Sequence, residues 1–208
     1  MGLDSERRGP GPGPGAVLHD AQVIERSWQD PPRFALLFDR HAPYIFRYIA
    51  RRVGRDIVDD LVAETFVSAF ASRRSYDLAH TDARPWLYGI ATHVVGSHRR
   101  DELRQFRISL AMRPEPHLTG HAEQIALDVT ARTMSALLAT ALTALADGDR
   151  DVLVLIAWEE LTYDQVARAL GIPVGTVRSR LHRARAIVRH ALAQSDTVSV
   201  IQEVLHHE

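Results

Sequence analysis

Apolar residues recur at spacings of three and four along most of this chain, and no stretch alternates between apolar and polar residues. Such spacing places apolar side chains on one face of a helix, whereas a half-buried strand requires alternation. The predicted fold class is therefore all-α. We expect two small helical domains, at residues 32–106 and 132–193, joined by a flexible linker at residues 107–131, where prolines and a glycine interrupt the periodicity.

Both ends of the chain lack this helical pattern. Residues 1–31 include the run GPGPGPG, and because proline and glycine at this density cannot build a packed element, we expect a disordered Gly/Pro-rich N-terminal tail. Residues 194–208 are predicted to be a C-terminal tail that forms no more than one or two amphipathic helical turns.

The most distinctive pattern lies in residues 161–189, where two short helical stretches flank a glycine. Thr162 followed by Gln165 is a capping box that starts a helix, and Gly171 suits the left-handed residue that ends one. A second helix then begins near Pro173. Its apolar positions are Val174, Val177, Leu181, Ala184 and Val188. The pattern predicts a helix-turn-helix.

The opposite face of that second helix carries small polar residues and arginines, and residues 174–193 contain no acid. A helix of this kind fits the major groove of DNA. A solvated basic face on a surface helix has the same charge, so the capped first helix and the glycine turn are what favour DNA binding. The residues on this face are Gly175, Thr176, Ser179, His182 and Arg183, flanked by Arg178.

In the first helical domain, residues 56–72 divide into an apolar stripe and a more acidic face. Asp60 and Glu64 are four residues apart, so their carboxylates share one surface and repel each other unless a cation faces them. The pair is typical either of an ordinary solvated face or of a docking site for a basic partner. The acidic side consists of Asp59, Asp60, Ala63, Glu64 and Val67.

A further helix is predicted from Arg84, with Pro85 in its first turn. Trp86 shares an apolar side with Ile90 and Val94, so burial in the core is an alternative to a binding role for its ring. The far side and end of the helix gather histidines and arginines. These residues would either complement the negative helix end or bind phosphates and stack on unpaired bases.

Composition excludes several classes of function. The chain has no cysteine, so it holds no disulfide, thiolate metal site or catalytic thiol. No apolar run is long enough to span a membrane and no signal-peptide core is present, so we expect a cytoplasmic protein. The net charge of −1 is unusual for a nucleic-acid binder. Acids cluster at residues 147–164, just before the basic helix, and local charge governs DNA contact.

The eleven histidines do not form a convincing metal site. His93 and His98 are five residues apart, a poor spacing for two ligands on one helix face, and no HExxH motif occurs. His206, His207 and Glu208 form a terminal cluster that we expect to be solvated. We therefore expect neither a metal nor a cofactor, and no enzymatic activity.

Three motifs occur in a fixed order: DDLVAETFVSAF from residue 59, RPWLYGIATHVVGSHRR from residue 84, and ALADGDRDVLVLIAWEELTYDQVARALGIPVGTVRSRLHRAR from residue 144. Together they resemble the sigma-70 family of bacterial RNA polymerase sigma factors, in its extracytoplasmic-function (ECF) group, over roughly residues 33–190. Members of that family bind core RNA polymerase, place it on promoters and help to open the DNA, and are not enzymes. The predicted linker is too short for the extra middle domain of housekeeping sigma factors.

The resemblance implies that residues 32–106 are sigma region 2. The positions that match its core-polymerase-binding helix are Asp60, Leu61, Glu64 and Phe66, and the chain has Ala63 where the family usually has glutamine. The loop at residues 75–83 and the helix after it match the part that captures an extruded base of the minus-ten element. The implied minus-ten contacts are Trp86, His93, Ser97, His98, Arg99 and Arg100, and His93 stands where many relatives have asparagine.

The resemblance likewise implies that residues 132–193 are sigma region 4, which reads the minus-thirty-five element. The implied contacts are Thr176, Arg178, Ser179, His182 and Arg183. The implied partners are core RNA polymerase and promoter DNA, with an anti-sigma factor as the further partner of many family members, and no membrane. The alternative is a one-component transcription regulator with a helix-turn-helix. The acidic helix and the Trp86 helix favour the sigma factor.

Overall fold

A computed structural model describes the backbone of residues 18–112 and 140–205, and the side chains of residues 18–105 and 140–193. Regular structure in these ranges is entirely helical, which confirms the predicted all-α class. The helices with both ends in the described ranges are α1 (Asp20–Arg26), α2 (Ala35–Ala50), α3 (Val58–Ser72), α4 (Arg84–Met112), α5 (Asp147–Ala157), α6 (Tyr163–Leu170) and α7 (Val174–Leu205). Residues 1–17, 113–139 and 206–208, which include most of the predicted linker, lie outside these ranges.

The first domain is built on α2, α3 and α4, each of which buries one face against the others. The apolar stripe predicted for residues 56–72 is confirmed, because Val58, Leu61, Val62 and Phe66 are buried in the core. The other side of α3 is exposed as predicted. The exposed residues there are Asp59, Asp60, Ala63, Glu64 and Val67.

The predicted disorder of residues 1–31 is wrong for its last third. Residues 20–26 form α1, which His19 starts with a capping box to Gln22, and Val23 and Ile24 are almost completely buried. A helix of seven residues is not stable in isolation, so tertiary packing holds it in place. A local pattern this short carries no helix signal, and the prediction missed it for that reason.

Asp20 is the polar anchor of α1. Its carboxylate accepts hydrogen bonds from His41 Nε2 at 2.8 Å, from Arg40 Nη1 at 3.0 Å and from the Ala83 amide at 3.0 Å. Burial alone would raise the pKa of Asp20, but these hydrogen bonds outweigh it and lower the pKa to about 2. One carboxylate therefore joins α1 to α2 and to the loop before α4.

The second domain contains α5 and the predicted helix-turn-helix. Thr162 and Gln165 make the expected capping box, with the Thr162 amide donating to Gln165 Oε1 at 2.8 Å. Gly171 adopts the left-handed conformation, with φ of 63°.

The helix α7 starts at Val174 as predicted and continues to Leu205, so the predicted C-terminal tail is wrong from residue 194 to 205. The helix α4 likewise continues to Met112, six residues into the predicted linker.

The two domains pack against each other, an arrangement that the sequence pattern did not predict. The helix α4 of the first domain lies along α6 of the second, and one hydrophobic cluster includes Leu87 from the former and Val166 from the latter. The two domains therefore share one hydrophobic core in this structure.

We predict that Asp20→Asn destabilises the protein by about 2 kcal/mol at pH 7, since its pKa lies almost two units below that of an unfolded aspartate. A depressed carboxylate pKa stabilises the fold above pH 4, and this contribution is lost as pH falls towards 2. The deficit of the variant relative to the natural chain should therefore shrink by about half at pH 3. Urea unfolding at the two pH values measures it.

The matched control is Asp30→Asn, which removes a carboxylate that forms an exposed ion pair with Arg33 at 2.8 Å. Exposed pairs contribute less than about 1 kcal/mol, so this variant should unfold close to the natural chain. A deficit for Asp20→Asn that is no larger than that of Asp30→Asn, or that does not shrink with acid, would contradict the anchoring role of Asp20.

Candidate nucleic-acid interface

The five residues of α7 that the resemblance implies as contacts share one side of that helix. Its other side is anchored in the core by Val177, Leu181 and Ala184, which are nearly inaccessible to solvent. A helix pinned in this way presents its remaining residues on a rigid surface. The exposed residues are Arg178, Ser179, His182 and Arg183, with Thr176 half-buried beside them.

Arg183 is not free on this surface. Its guanidinium donates two hydrogen bonds to the nearly buried carboxylate of Asp149, from Nε at 2.5 Å and from Nη2 at 2.7 Å. The bond from Arg183 is the main reason that the pKa of Asp149 is lowered. The second N–H of Nη2 and both N–H groups of Nη1 are not used in this pair, so Arg183 can still present the Nη1–Nη2 edge of its guanidinium to DNA. The sequence pattern showed Asp149 only as part of an acidic cluster, because its partner lies 34 residues away.

A cavity of about 580 Å³ opens beside the first turns of α4. Tyr76 and Trp86 form one wall, with ring centroids 5.0 Å apart, and His93 and Ile90 border it farther along α4. The Tyr76 hydroxyl donates to the carbonyl oxygens of His80 and Asp82, at 2.6 and 3.2 Å, which holds the loop in place. The cavity therefore combines one aromatic wall with polar side chains, which is the chemistry that binding of an unstacked base uses.

Trp86 is half-buried, so its ring is both a core residue and part of the cavity wall. His93 is exposed and lies at the cavity rim, as expected for a residue outside the apolar stripe. Arg168 of α6 also lines this cavity. Sequence analysis did not identify Arg168, because it belongs to the other domain.

The remaining residues predicted for this surface are spread along α4. Arg99 and Arg100 line a second cleft of about 510 Å³, and Arg99 donates to the Arg52 carbonyl oxygen. Burial lowers the pKa of Arg99, and the charges of Arg52 and Arg150 lower it further. Ser97 and His98 line neither cavity. His98 Nε2 lies instead 3.3 Å from Glu102 Oε1, one turn farther along the helix. Trp86 lines the first cavity and the two arginines line the second cleft, and His93 borders both.

On α3 the four predicted polymerase-binding residues separate into two groups. Asp60 and Glu64 are exposed, whereas Leu61 is 4% and Phe66 7% exposed. The prediction that Leu61 contacts a partner directly is corrected, because its side chain belongs to the core. Phe66 packs beneath this surface, and the centroid of its ring lies 4.9 Å from that of the exposed Phe38 ring.

An apolar groove lies next to these acids, between α3 and the start of α2. It is lined by Pro31, Pro32, Phe34, Ala35, Phe38, Ala63, Phe66, Val67 and Phe70. Val67 is 67% exposed and Phe38 46%, although both side chains are apolar. Contiguous exposed apolar surface of this kind marks interaction sites. The groove was missed in the sequence because its two sides come from different helices.

In the described parts of the chain, no group of three or more histidine and carboxylate side chains is arranged to hold a metal ion. No helix among the same residues has the length and apolar character to cross a membrane.

Two family models match the chain in order. The model for sigma-70 region 2 matches residues 37–105, and the model for sigma-70 region 4 matches residues 135–188. The chain is 36% identical over 143 residues to the ECF RNA polymerase sigma factor SigC of Mycobacterium tuberculosis, covering 68% of this chain and 73% of that protein. It is 32% identical over 206 residues to the ECF sigma factor SigE of Mycolicibacterium smegmatis, covering 87% and 77% of the two chains.

Solved structures extend the similarity to the fold. CnrH, in complex with the cytosolic domain of CnrY, matches with a TM-score of 0.60 and 25% identity, covering 84% of this chain and 97% of CnrH. The sigma factor RpoE of Bartonella quintana, solved with the anti-sigma factor NepR, matches with a TM-score of 0.58 and 24% identity over 77% of this chain and 96% of RpoE.

The recognition-face residues of the helix-turn-helix lie within the region 4 match, and the acidic helix together with Trp86 and His93 lies within the region 2 match. These matches and the relatives that are more than 30% identical agree in assigning the same role. The chain belongs to the sigma-70 family of RNA polymerase sigma factors, in its ECF group.

Proposed function

We propose that this sigma factor uses three separate surfaces: α3 and its apolar groove for core polymerase, the α4 cavity for the minus-ten element, and α7 for the minus-thirty-five element. One observation carries the proposal. The polar residues that the motifs assign to these roles lie mainly on exposed faces of helices whose opposite faces are buried. No comparison favours the alternative of a one-component regulator.

The polymerase surface combines two kinds of attraction. The groove offers apolar area around Phe38 and Val67, and Asp60 and Glu64 add negative charge at its edge. A partner helix with an apolar stripe and basic flanks would complement both. Ala63 lines the groove, so the alanine that replaces the family's usual glutamine leaves room for an apolar side chain of the partner.

The minus-ten surface is suited to an unpaired base. The Tyr76 and Trp86 rings offer stacking area, and His93 at the rim offers a polar contact. Extruding a base from the duplex costs a few kcal/mol of stacking, which such a pocket offsets. Arg99 and Arg100 lie farther along the helix and would contact phosphates of the displaced strand.

On α7, Asp149 acts as a positioning residue for Arg183. Because Asp149 holds Nε and Nη2, the orientation of the guanidinium is set before DNA arrives. Ser179, His182 and Arg178 lie on the same exposed face and supply the other contacts to bases or phosphates.

This protein works without catalysis of its own and acts in the cytoplasm, where core polymerase transcribes DNA. Its partners are core RNA polymerase and promoter DNA. An anti-sigma factor is the further partner that membership of the family implies.

We predict that Asp60→Arg combined with Glu64→Arg weakens binding to core polymerase at least about 100-fold, because reversed charge against a basic partner surface costs several kcal/mol. Both side chains are exposed, so helical content should be unchanged. The charge-matched control is Glu25→Arg with Glu160→Arg, at exposed sites outside the groove. Co-purification of the first variant with core enzyme at the level of the control would refute the assignment of α3.

We predict that His93→Ala leaves folding and polymerase binding near those of the natural chain, because substitution of an exposed residue shifts stability by about 0.5 kcal/mol or less. It should slow open-complex formation on duplex promoters, and the defect should shrink on a template already unpaired across the minus-ten region. His190→Ala, at an exposed site on α7, is the control. Equal activity of the His93 variant on both templates would show that His93 takes no part in opening.

We predict that Arg183→Ala weakens promoter binding by about 1–3 kcal/mol and relaxes preference at one position of the minus-thirty-five element. Asp149→Asn should relax preference at that same position, since the orientation of Arg183 is lost while the residue stays. Arg185→Ala, at an exposed site on the same helix, should at most reduce the salt dependence equally on all sequences. Binding of the Asp149 variant with unchanged sequence preference would show that the pair serves stability alone.

A further inference from the structure

The N-terminal segment, residues 19–28, contacts the loop at residues 75–83, which we call the minus-ten loop. Five residues of this loop line the α4 cavity, whereas none of residues 19–28 does. The segment also lies before residue 37, where the match to sigma-70 region 2 begins. It can therefore act on a base in the cavity through the loop rather than by direct contact. The five loop residues are Ser75, Tyr76, Asp77, His80 and Asp82.

At the end of the minus-ten loop, Asp20 is hydrogen-bonded to both sequence neighbours of Asp82. The Asp20 amide donates to the Thr81 carbonyl oxygen at 3.1 Å, and the Asp20 carboxylate oxygen Oδ2 accepts from the Ala83 amide at 3.0 Å. His80 and Asp82, on either side of Thr81, both line the cavity. These two hydrogen bonds therefore fix the backbone that carries cavity-lining side chains.

The carboxylate of Asp20 is itself held by α2. Arg40 Nη1 lies 3.0 Å from Oδ1, and His41 Nε2 lies 2.8 Å from Oδ2. The side chains of Asp20 and His41 are each 9% exposed, so water competes little for these bonds. The lowered pKa of Asp20 keeps it ionised at neutral pH, and a charged acceptor forms stronger hydrogen bonds than a neutral one. The acceptor of the Ala83 amide is therefore fixed in position by α2.

Trp28 makes the corresponding contact at the start of the loop. Its indole Nε1 donates to the Arg73 carbonyl oxygen at 3.3 Å. Val23 and Ile24, which lie between Asp20 and Trp28, are buried in the core, so the segment cannot shift as a unit without losing apolar contacts. The N-terminal segment thus holds the loop at both ends, just before residue 75 and at residues 81–83.

We propose that the N-terminal segment is a positioning element for the minus-ten loop, and that Trp28 and Asp20 thereby determine how strictly the α4 cavity selects among the four bases. This inference rests on the proposed function of the α4 cavity. Selectivity is a difference between two affinities. A loop held in one shape does not adapt to a wrong base, and it loses little conformational entropy on binding the right one. A loop released at either end has neither advantage.

The first experiment measures hydrogen exchange of the backbone amides at residues 75–83 in the full chain without DNA. Trp28→Phe keeps an aromatic ring but removes the donor to Arg73, and Asp20→Asn removes the charge that accepts from Ala83. We expect exchange in the loop to become at least about threefold faster in each variant, which is the effect of losing one ordinary hydrogen bond.

Three control variants separate this effect from a general loss of stability. Trp158→Phe makes the first change at an exposed tryptophan of the second domain, and Asp30→Asn makes the second at an exposed ion pair. Ile49→Val removes a buried methyl group from α2 and leaves the hydrogen bonds of Trp28 and Asp20 in place. No control should speed exchange in the loop more than in α2 and α3. Loop exchange that behaves like that of the controls in either Trp28→Phe or Asp20→Asn would overturn the proposal.

The second experiment measures base preference by the polymerase holoenzyme formed with each variant. Templates already unpaired across the minus-ten region are randomised at one position at a time, and the bases in the bound fraction are counted. All templates compete for the same protein, so a loss of folded protein cancels from the ratio of bases. We expect Trp28→Phe and Asp20→Asn to reduce the preference for the best base about threefold at one position, and the three controls to keep it. An equal reduction in Ile49→Val would contradict a positioning role, because that variant alters stability alone.

His93→Ala separates a failure of this inference from a failure of the proposed function. His93 is exposed and borders the cavity, so its substitution acts on DNA directly. Reduced preference in His93→Ala with natural preference in Trp28→Phe and Asp20→Asn would refute the positioning role alone. Natural preference in all three variants, together with faster loop exchange in the latter two, would show that the loop is positioned as proposed but that the α4 cavity is not the minus-ten site.

Discussion

Burial of α4 on two sides is the constraint on which the rest of this structure depends. One side, with Leu87 and Val95, completes the core of the first domain, and Gly89 lies against the backbone of α6. What remains of its surface holds His93 and the cavity of Trp86. A single helix thus supports the fold, the candidate DNA site and the domain contact with different sides of its surface.

Side chains at the domain boundary link the core to the interface. The Tyr48 hydroxyl lies 2.5 Å from Thr92 Oγ1 and accepts from Arg52, which also reaches Asp151 of the second domain. Burial raises the pKa of Tyr48 to about 12, so the phenol stays protonated at physiological pH. The first domain therefore sets the orientation of the Arg52 guanidinium. Asp151 of the second domain pairs with this positive charge, which is already held in position. Preorganisation of this kind lowers the cost of bringing the domains together.

Sequence patterns were sufficient to predict those elements whose contacts join residues close together in the sequence. Thr162, Gln165 and Gly171 act within a few residues of one another, and the helix-turn-helix they predicted is confirmed. The buried stripe and exposed acids of α3 follow from helical periodicity in the same way. Prediction failed at α1, because a seven-residue helix depends on the contacts of Asp20 with residues 20 or more positions away.

The sequence by itself determined the helical class and the helices that hold the candidate sites, because both follow from short-range spacing. The family followed from the resemblance of three motifs and their order along the chain. Only the tertiary structure decided which side chains come together at those sites. It paired Arg183 with Asp149, assembled the apolar groove from α2 and α3, and set Arg168 beside the cavity of α4. These contacts join residues remote in sequence, and no spacing rule encodes which surfaces meet when helices pack.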